Sequence, residues 1–434
     1  MKNYEIEQAE ELINYIYESP TSFHAVKNAV SELEKFGFVE IKEGEALKIK
    51  KGGKYFVTKN QSALIAFTVG KGELENDGFR IIGAHTDSPS FRVKPNSEIE
   101  VEGAYVKLNT EVYGGPILNT WMDRPLSLAG RIVLKSKDLF HPEIKLLNIK
   151  RPLMIIPNLA IHMNRNINSG VELNRQKHML PLLALVNDKF KQGHYLTQII
   201  SEELSVPEED ILDFDLFLYE FEKGSIIGAD QEFISSGRLD DLSMVYSGIK
   251  AISNSKIKNT TNVMVCFDNE EVGSTTKQGA NSPMLLSILE RIAFNLGKNK
   301  DDFYRAISKS FIISCDLGHA LHPNYEEKSD PVNRPIINKG PIIKISASQS
   351  YTTDAVSSAI YKSICCKAGV PVQVFVNRSD ERGGSTIGPI SSSHINMTSL
   401  DMGLAILSMH SVRELGGIKD YVYALESFNK FYDL

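Results

Sequence analysis

Short apolar runs along the chain alternate with stretches in which apolar residues recur every three or four positions. Leu12, Ile13 and Ile16 stand at helical spacing among acids, which predicts an amphipathic helix over residues 6–17. The run Ser19-Pro20-Thr21 ends it, and Thr21 or Ser22 can cap a second helix over about residues 24–36. Residues 54–58 and 63–68 turn to a β pattern across a polar break and read as a hairpin. Three later runs share one layout. Residues 79–84 are apolar and run into His85, Thr86 and Asp87. Residues 262–267 run into Asp268, Asn269, Glu270 and Glu271, and residues 311–315 into Asp316. Each reads as a buried strand whose carboxyl end presents polar side chains. Helical patterns over 242–253, 283–294 and 355–368 lie between or after them, so the spacing predicts an α/β sheet with helices on both faces. In such sheets ligands bind beyond the carboxyl ends of the strands.

Residues 94–235 follow another pattern, with shorter β-like runs at 104–108, 129–134 and 211–219, many turn residues and few clear helices. They read as a β-rich domain inserted into the sheet domain, which then comprises residues 1–93 and 236–434. A length of 434 residues agrees with more than one core, because single cores stop growing near ~250–300 residues. The net charge of −6 carries no basic excess and gives no argument for nucleic acid. Four cysteines, two of them inside apolar runs and two adjacent, make no disulfide framework and fit a reducing compartment. The first nine residues lack a signal-peptide pattern, and no run reaches the ~18–20 apolar residues that span a membrane. A soluble cytoplasmic protein is expected.

The strand-end residues His85, Asp240, Glu270, Glu271 and Asp316, with His410, have the composition of a dinuclear hydrolytic site. Such a site needs imidazoles, a bridging carboxylate and one carboxylate that serves as base. Each residue alone has an ordinary reading. His85 could be a hydrogen-bonding histidine, Glu270-Glu271 a solvated pair, Asp240-Asp241 the acidic start of a helix, and Asp316 a turn residue. Several carboxylates at neighbouring strand ends are harder to explain without a cation, because they repel one another.

In order along the chain stand Ala84-His85-Thr86-Asp87-Ser88-Pro89, Tyr113-Gly114-Gly115, Thr120-Trp121-Met122-Asp123-Arg124 and Leu159-Ala160-Ile161-His162. Then follow Arg238-Leu239-Asp240, Asp268-Asn269-Glu270-Glu271-Val272-Gly273-Ser274, the run from His319 to Tyr325, and Met409-His410-Ser411. Together they resemble the aspartyl aminopeptidase family of dinuclear zinc exopeptidases, which includes the vacuolar aminopeptidase I type. The resemblance implies a three-layer α/β/α sheet of the zinc-exopeptidase type, with the inserted domain serving dimerisation. It implies two divalent ions, zinc or else cobalt or manganese, one held by His85, Asp240 and Asp316 and the other by Asp240, Glu271 and His410. It makes Glu270 the general base and sets Asp87 to orient the His85 imidazole. His162, His319, Lys344 and Tyr351 match substrate contacts, with His162 reaching a neighbouring subunit, and relatives assemble from dimers into tetrahedral dodecamers.

The activity implied is release of amino-terminal residues, Asp or Glu first, from peptides. Two departures bear on that preference, and one is that Pro116 and Asn119 replace residues usual after the Tyr-Gly-Gly run. Where the family has Asn-Asp-Ser-Pro-Cys-Gly before Ser-Thr-Ile-Gly, this chain has Arg378-Ser379-Asp380-Glu381-Arg382-Gly383-Gly384. A preference for neutral or hydrophobic first residues therefore stays open, as does a non-catalytic assembly or cargo protein.

Overall fold

The computed structural model describes residues 2–381 and 383–434. Arg382, one of the charges in the departing loop, lies outside them. Two compact units divide the chain. One comprises residues 1–88, 224–409 and 414–434, the other residues 89–223 and 410–413.

The first unit is built on a mixed sheet of nine strands among the described residues. Its centre is parallel, with the strands Thr261–Phe267, Phe79–His85, Phe311–Cys315 and Thr398–Gly403 side by side in that order. The hairpin of Lys54–Lys59 and Ala63–Thr68 extends one edge, and the short strands Ile342–Lys344 and Gln373–Phe375 extend the other. Both faces of the central strands are covered, which is why they read as continuous apolar runs. Successive side chains on a strand point to opposite faces. Ile82, Ala84, Met264, Cys266 and Ile313 accordingly share one core with the helices Lys2–Glu18, Ser22–Lys35, Leu239–Asn254, Ala355–Ala368 and Ile418–Tyr432. Phe79, Ile81, Val263, Val265 and Ile312 share the other with Met284–Asn295, Lys300–Ser308 and Ile387–His394. This is the expected arrangement of helices on both faces. Cys266, Cys315, Cys365 and Cys366 are free thiols.

One local expectation changes, and the start of one helix agrees with the spacing. Thr21 occupies the position before the second helix, yet its hydroxyl meets Nδ1 of His24 at 2.9 Å and caps no backbone N–H. The helix starting at Leu239 has non-helical backbone at Asp240 and Asp241, so its regular part begins at Leu242, where the apolar spacing placed it.

The second unit is an antiparallel sheet of six strands among the described residues, in the order Glu143–Asn148, Leu126–Leu134, Ile211–Glu220, Ser90–Val101, Tyr105–Tyr113, Leu182–Leu185. A helix, Tyr195–Leu204, packs on it through Leu196, Ile199 and Ile200. The residues 410–413 join this unit by specific bonds. Ile117 N–H donates to the carbonyl of His410 at 2.9 Å, and Val412 N–H to the Thr120 hydroxyl at 3.0 Å. Arg413 and Arg124 both pair with Glu220, which is 4% exposed. No helix among the described residues is long and apolar enough to cross a membrane.

Ile313 is fully buried in a central strand, so Ile313→Ala removes packing that neighbours cannot refill. We expect a loss of ~2–5 kcal/mol of unfolding free energy; urea denaturation of the pure protein measures it, and a loss under 1 kcal/mol would contradict this core.

Candidate metal and active site

The parallel register makes the strand ends level. Phe267 pairs with His85, and Ser314 pairs with Gly83, so two residues further on Asp316 stands level with His85. The chain after Phe267 then turns sharply. Asn269 takes the left-handed conformation (φ 63°), which asparagine tolerates better than most residues, and its amide oxygen accepts from Thr276 and Gln278 at 2.8 Å each. A single helical turn, Glu270–Val272, follows and carries the two glutamates.

His85 is buried, and its two ring nitrogens have distinct surroundings. Nδ1–H donates to the backbone carbonyl of Asp87 at 3.0 Å. That bond leaves the Nε2 lone pair directed toward Asp240 Oδ1, 3.5 Å away. An acceptor facing a carboxylate across that gap needs a proton or a cation between them. Burial alone would push the imidazole down. Hydrogen bonding to Asp240 and Asp87 outweighs it and holds the ring well above its ordinary range. The Asp87 carboxylate has a further part besides its contact with the ring. Its nearer oxygen is 3.4 Å from His85 Nδ1, whereas its two oxygens accept from the backbone N–H groups of Glu270 and Glu271 at 3.1 Å each. Asp87 thus ties the histidine turn to the glutamate turn.

The carboxylates around His85 are crowded. Burial pushes Glu270 up to about 7, with Asp316, Asp87 and Asp240 adding to the rise and His85 opposing it. Burial also raises Asp316 and Asp241. Ligand atoms of His85, Asp240 and Asp241, and likewise of His85, Glu270 and Glu271, lie within 4.8 Å of one another. An imidazole nitrogen among several buried carboxylates is a donor set that suits a divalent cation such as zinc. Crowded anions without one are driven to take up protons instead.

Lys344, 2% exposed, lies at the end of its strand with Nζ 3.5 Å from Asp316 Oδ2 and 5.4 Å from the centre of the Tyr351 ring. Burial would lower the ammonium, but Asp316 and then Tyr351 keep it above its usual value. Phe375 bridges onward, its ring 6.4 Å from that of Tyr351 and 6.0 Å from that of His319. His410 and His162 belong to the second unit. Nδ1–H of His410 donates to the Gly115 carbonyl at 3.2 Å, which makes Nε2 the acceptor of the neutral ring. His162 is exposed on the turn Ile161–Met163.

Two buried acids were not singled out from the sequence. Asp241, fully buried, accepts from the backbone N–H of His85 at 3.1 Å. Asp401, also fully buried, accepts from Ser314 and Thr386 through one oxygen and from the backbone and hydroxyl of Thr352 through the other. It joins the strand before Asp316 to the segment after Tyr351. An acid in the middle of an apolar run, as in Ser399-Leu400-Asp401-Met402, was the available signal.

Known proteins are similar to this chain over nearly its whole length. The family described as "Aminopeptidase I zinc metalloprotease (M18)" matches residues 15–432. A "Probable M18 family aminopeptidase 2" of Clostridium novyi is 61% identical over 434 residues, all of both chains, and one of Clostridium acetobutylicum is 57% identical over the same span. Among solved structures, a complex of Ape4 and Nbr1 aligns with a TM-score of 0.96 at 38% identity, covering 100% of this chain and 86% of that one. The S. cerevisiae mApe1 dodecamer aligns at 0.86 and 27% identity, covering 99% and 97%. Identity at this level, sustained from end to end and joined to a zinc-suited donor set at the strand ends, shows that the chain belongs to the M18 family of aminopeptidase I zinc metalloproteases.

Proposed function

We propose that this M18 aminopeptidase releases amino-terminal Asp and Glu from peptides at a centre of two divalent ions. The observation that carries the reading is the convergence of His85, Asp240, Glu270 and Glu271, with Asp316 level beside them. His85, Asp240 and Asp316 would hold one ion, and Asp240, Glu271 and His410 the other, with Asp240 shared. Bound there, the ions would lower the pKa of water and polarise the scissile carbonyl. Glu270 is the base. It takes the proton of the attacking water and returns it to the leaving amine, a role worth about 10²–10⁴-fold in rate. Asp87 holds Glu270 in place through its backbone N–H and supports the His85 ring from behind. Lys344 and Tyr351, with His319, face the first residue, and the Lys344 ammonium favours a carboxylate there. His162 serves the site of a neighbouring subunit, the second unit forms the dimer contact, and twelve subunits assemble in the cytoplasm.

A second reading also has support. Lys344 is already paired with Asp316, which reduces the charge it offers to substrate, so neutral first residues are the alternative.

Three outcomes are expected. Protein stripped with a chelator should gain thermal stability on adding Zn2+, by ~2.7 kcal/mol at a hundredfold excess over Kd. His85→Ala should show a smaller rise in scanning calorimetry, and an equal rise in both would remove His85 from the ligands. Glu270→Gln should retain its metal, counted by plasma mass spectrometry, and lose at least ~100-fold in turnover; unchanged turnover would end its assignment as base. On peptides differing only in the first residue, Asp and Glu should leave faster than Leu and Ala, and the reverse order would transfer support to the neutral reading.

A further inference from the structure

Within the first unit, a cavity of about 230 Å³ lies beside His319 and Phe375, and neither Lys344 nor Tyr351 lines it. Its polar wall is rich in donors. Arg378 gives Nε–H and one Nη2–H to the two oxygens of Asp380, at 2.6 Å each, and one Nη1–H to the carbonyl of Glu327. A guanidinium has five N–H groups, so these bonds leave two. Lys328 gives one of its three to Glu381 at 2.6 Å. The Asn324 N–H donates to Nδ1 of His322 at 3.1 Å, so the neutral ring carries its proton on Nε2 and is a donor there. The acid in the lining, Asp330, stays anionic, since hydrogen bonds hold its carboxyl below the usual range, and one of its oxygens is engaged. Its Oδ1 accepts from the N–H groups of Val332 and Asn333 and from the Asn333 amide.

Arg378, Asp380 and Glu381 come from the loop in which this chain departs from the family pattern. Their ion pairs are half open to water, with Arg378 37% and Lys328 64% exposed. The single Lys328–Glu381 pair is screened and contributes little, so an incoming carboxylate can exchange for Glu381. Arg378 keeps its two parallel bonds to Asp380 and can bind a second carboxylate through its two remaining N–H groups.

We propose that the cavity is a subsite for a carboxylate that the peptide carries beyond the bond being cut, bound by Arg378 and Lys328. The inference rests on the reading that Lys344 and Tyr351 face the first residue, since Phe375, whose ring lies 6.4 Å from that of Tyr351, lines the cavity. The carboxylate is either the free carboxyl terminus of a short peptide or the side chain of an acidic second residue.

The test holds the first residue constant, at whichever one the enzyme releases fastest. Dipeptide acids are compared with their amides, and tripeptide amides with Asp against Asn in second place. At least one ratio of kcat/KM should favour the carboxylate by about fivefold or more in the wild type, through KM. The dipeptide arm reports the terminus and the tripeptide arm the side chain. In Arg378→Gln/Lys328→Gln the ratio should fall toward one, and any general loss of activity cancels within it. Arg378→Lys, which keeps the cation, should retain most of the ratio. The proposal is overturned by a wild type without either preference, by a ratio that survives the double substitution, or by Arg378→Lys losing it as fully as the glutamine form. It is also overturned if the double substitution abolishes discrimination among first residues and leaves the downstream ratio intact. Slow release of Asp relative to Leu by the wild type would count against the acidic first-residue reading alone.

Discussion

Negative charge concentrated in a small dry volume governs the first unit. The parallel strands ending at His85, Phe267 and Cys315 are in level register, so the residues that follow them are delivered to one place. Asp240 and Asp241 enter from the start of a helix. Burial raises Glu270, Asp316 and Asp241, and their proximity raises them further. The strands could not hold these groups together as free anions; a cation, a proton or a lysine must accompany them. Lys344 supplies part of that compensation from within the chain, and zinc is the cation that the family uses.

Seen this way, the supporting bonds have a common purpose. Asp87 fixes the backbone of both glutamates, Asp241 fixes the backbone of His85, and Asp401 fixes the segment that follows Tyr351. In each case a buried carboxylate is engaged by N–H or O–H donors, which holds the neighbouring backbone in position. Such bonds matter because a base displaced by an ångström loses much of its effect.

Much of the frame was legible in the sequence. The three central strands and the helices over 242–253, 283–294 and 355–368 follow from apolar period alone, since both faces of the sheet are buried. The strand Thr398–Gly403 was not read, because Asp401 interrupts its apolar run and finds its hydrogen-bond donors in Ser314, Thr352 and Thr386, apart from it in sequence. The helix Tyr195–Leu204 was missed for another reason: it begins after His194 in a left-handed conformation with no capping side chain to announce it. At the site, the types of residue were visible, yet each had an ordinary explanation, and only their order along the chain tied them to a family. Distances were beyond reach of the sequence. Neither the turning of the Asp87 carboxylate toward the glutamate N–H groups nor the pairing of Lys344 with Asp316 has any one-dimensional signature.

The four residues from His410 to Arg413 are bonded to Gly115, Ile117, Thr120 and Glu220, although the chain on either side of them belongs to the first unit. An insertion that arose as a passive appendage should be removable by joining its two ends. Here excision of residues 89–223 would remove the Gly115 and Ile117 bonds to the ring and backbone of His410. The insertion and the late segment therefore form one heritable package, and a shortened enzyme would have to find another anchor for that histidine before it could lose the insertion.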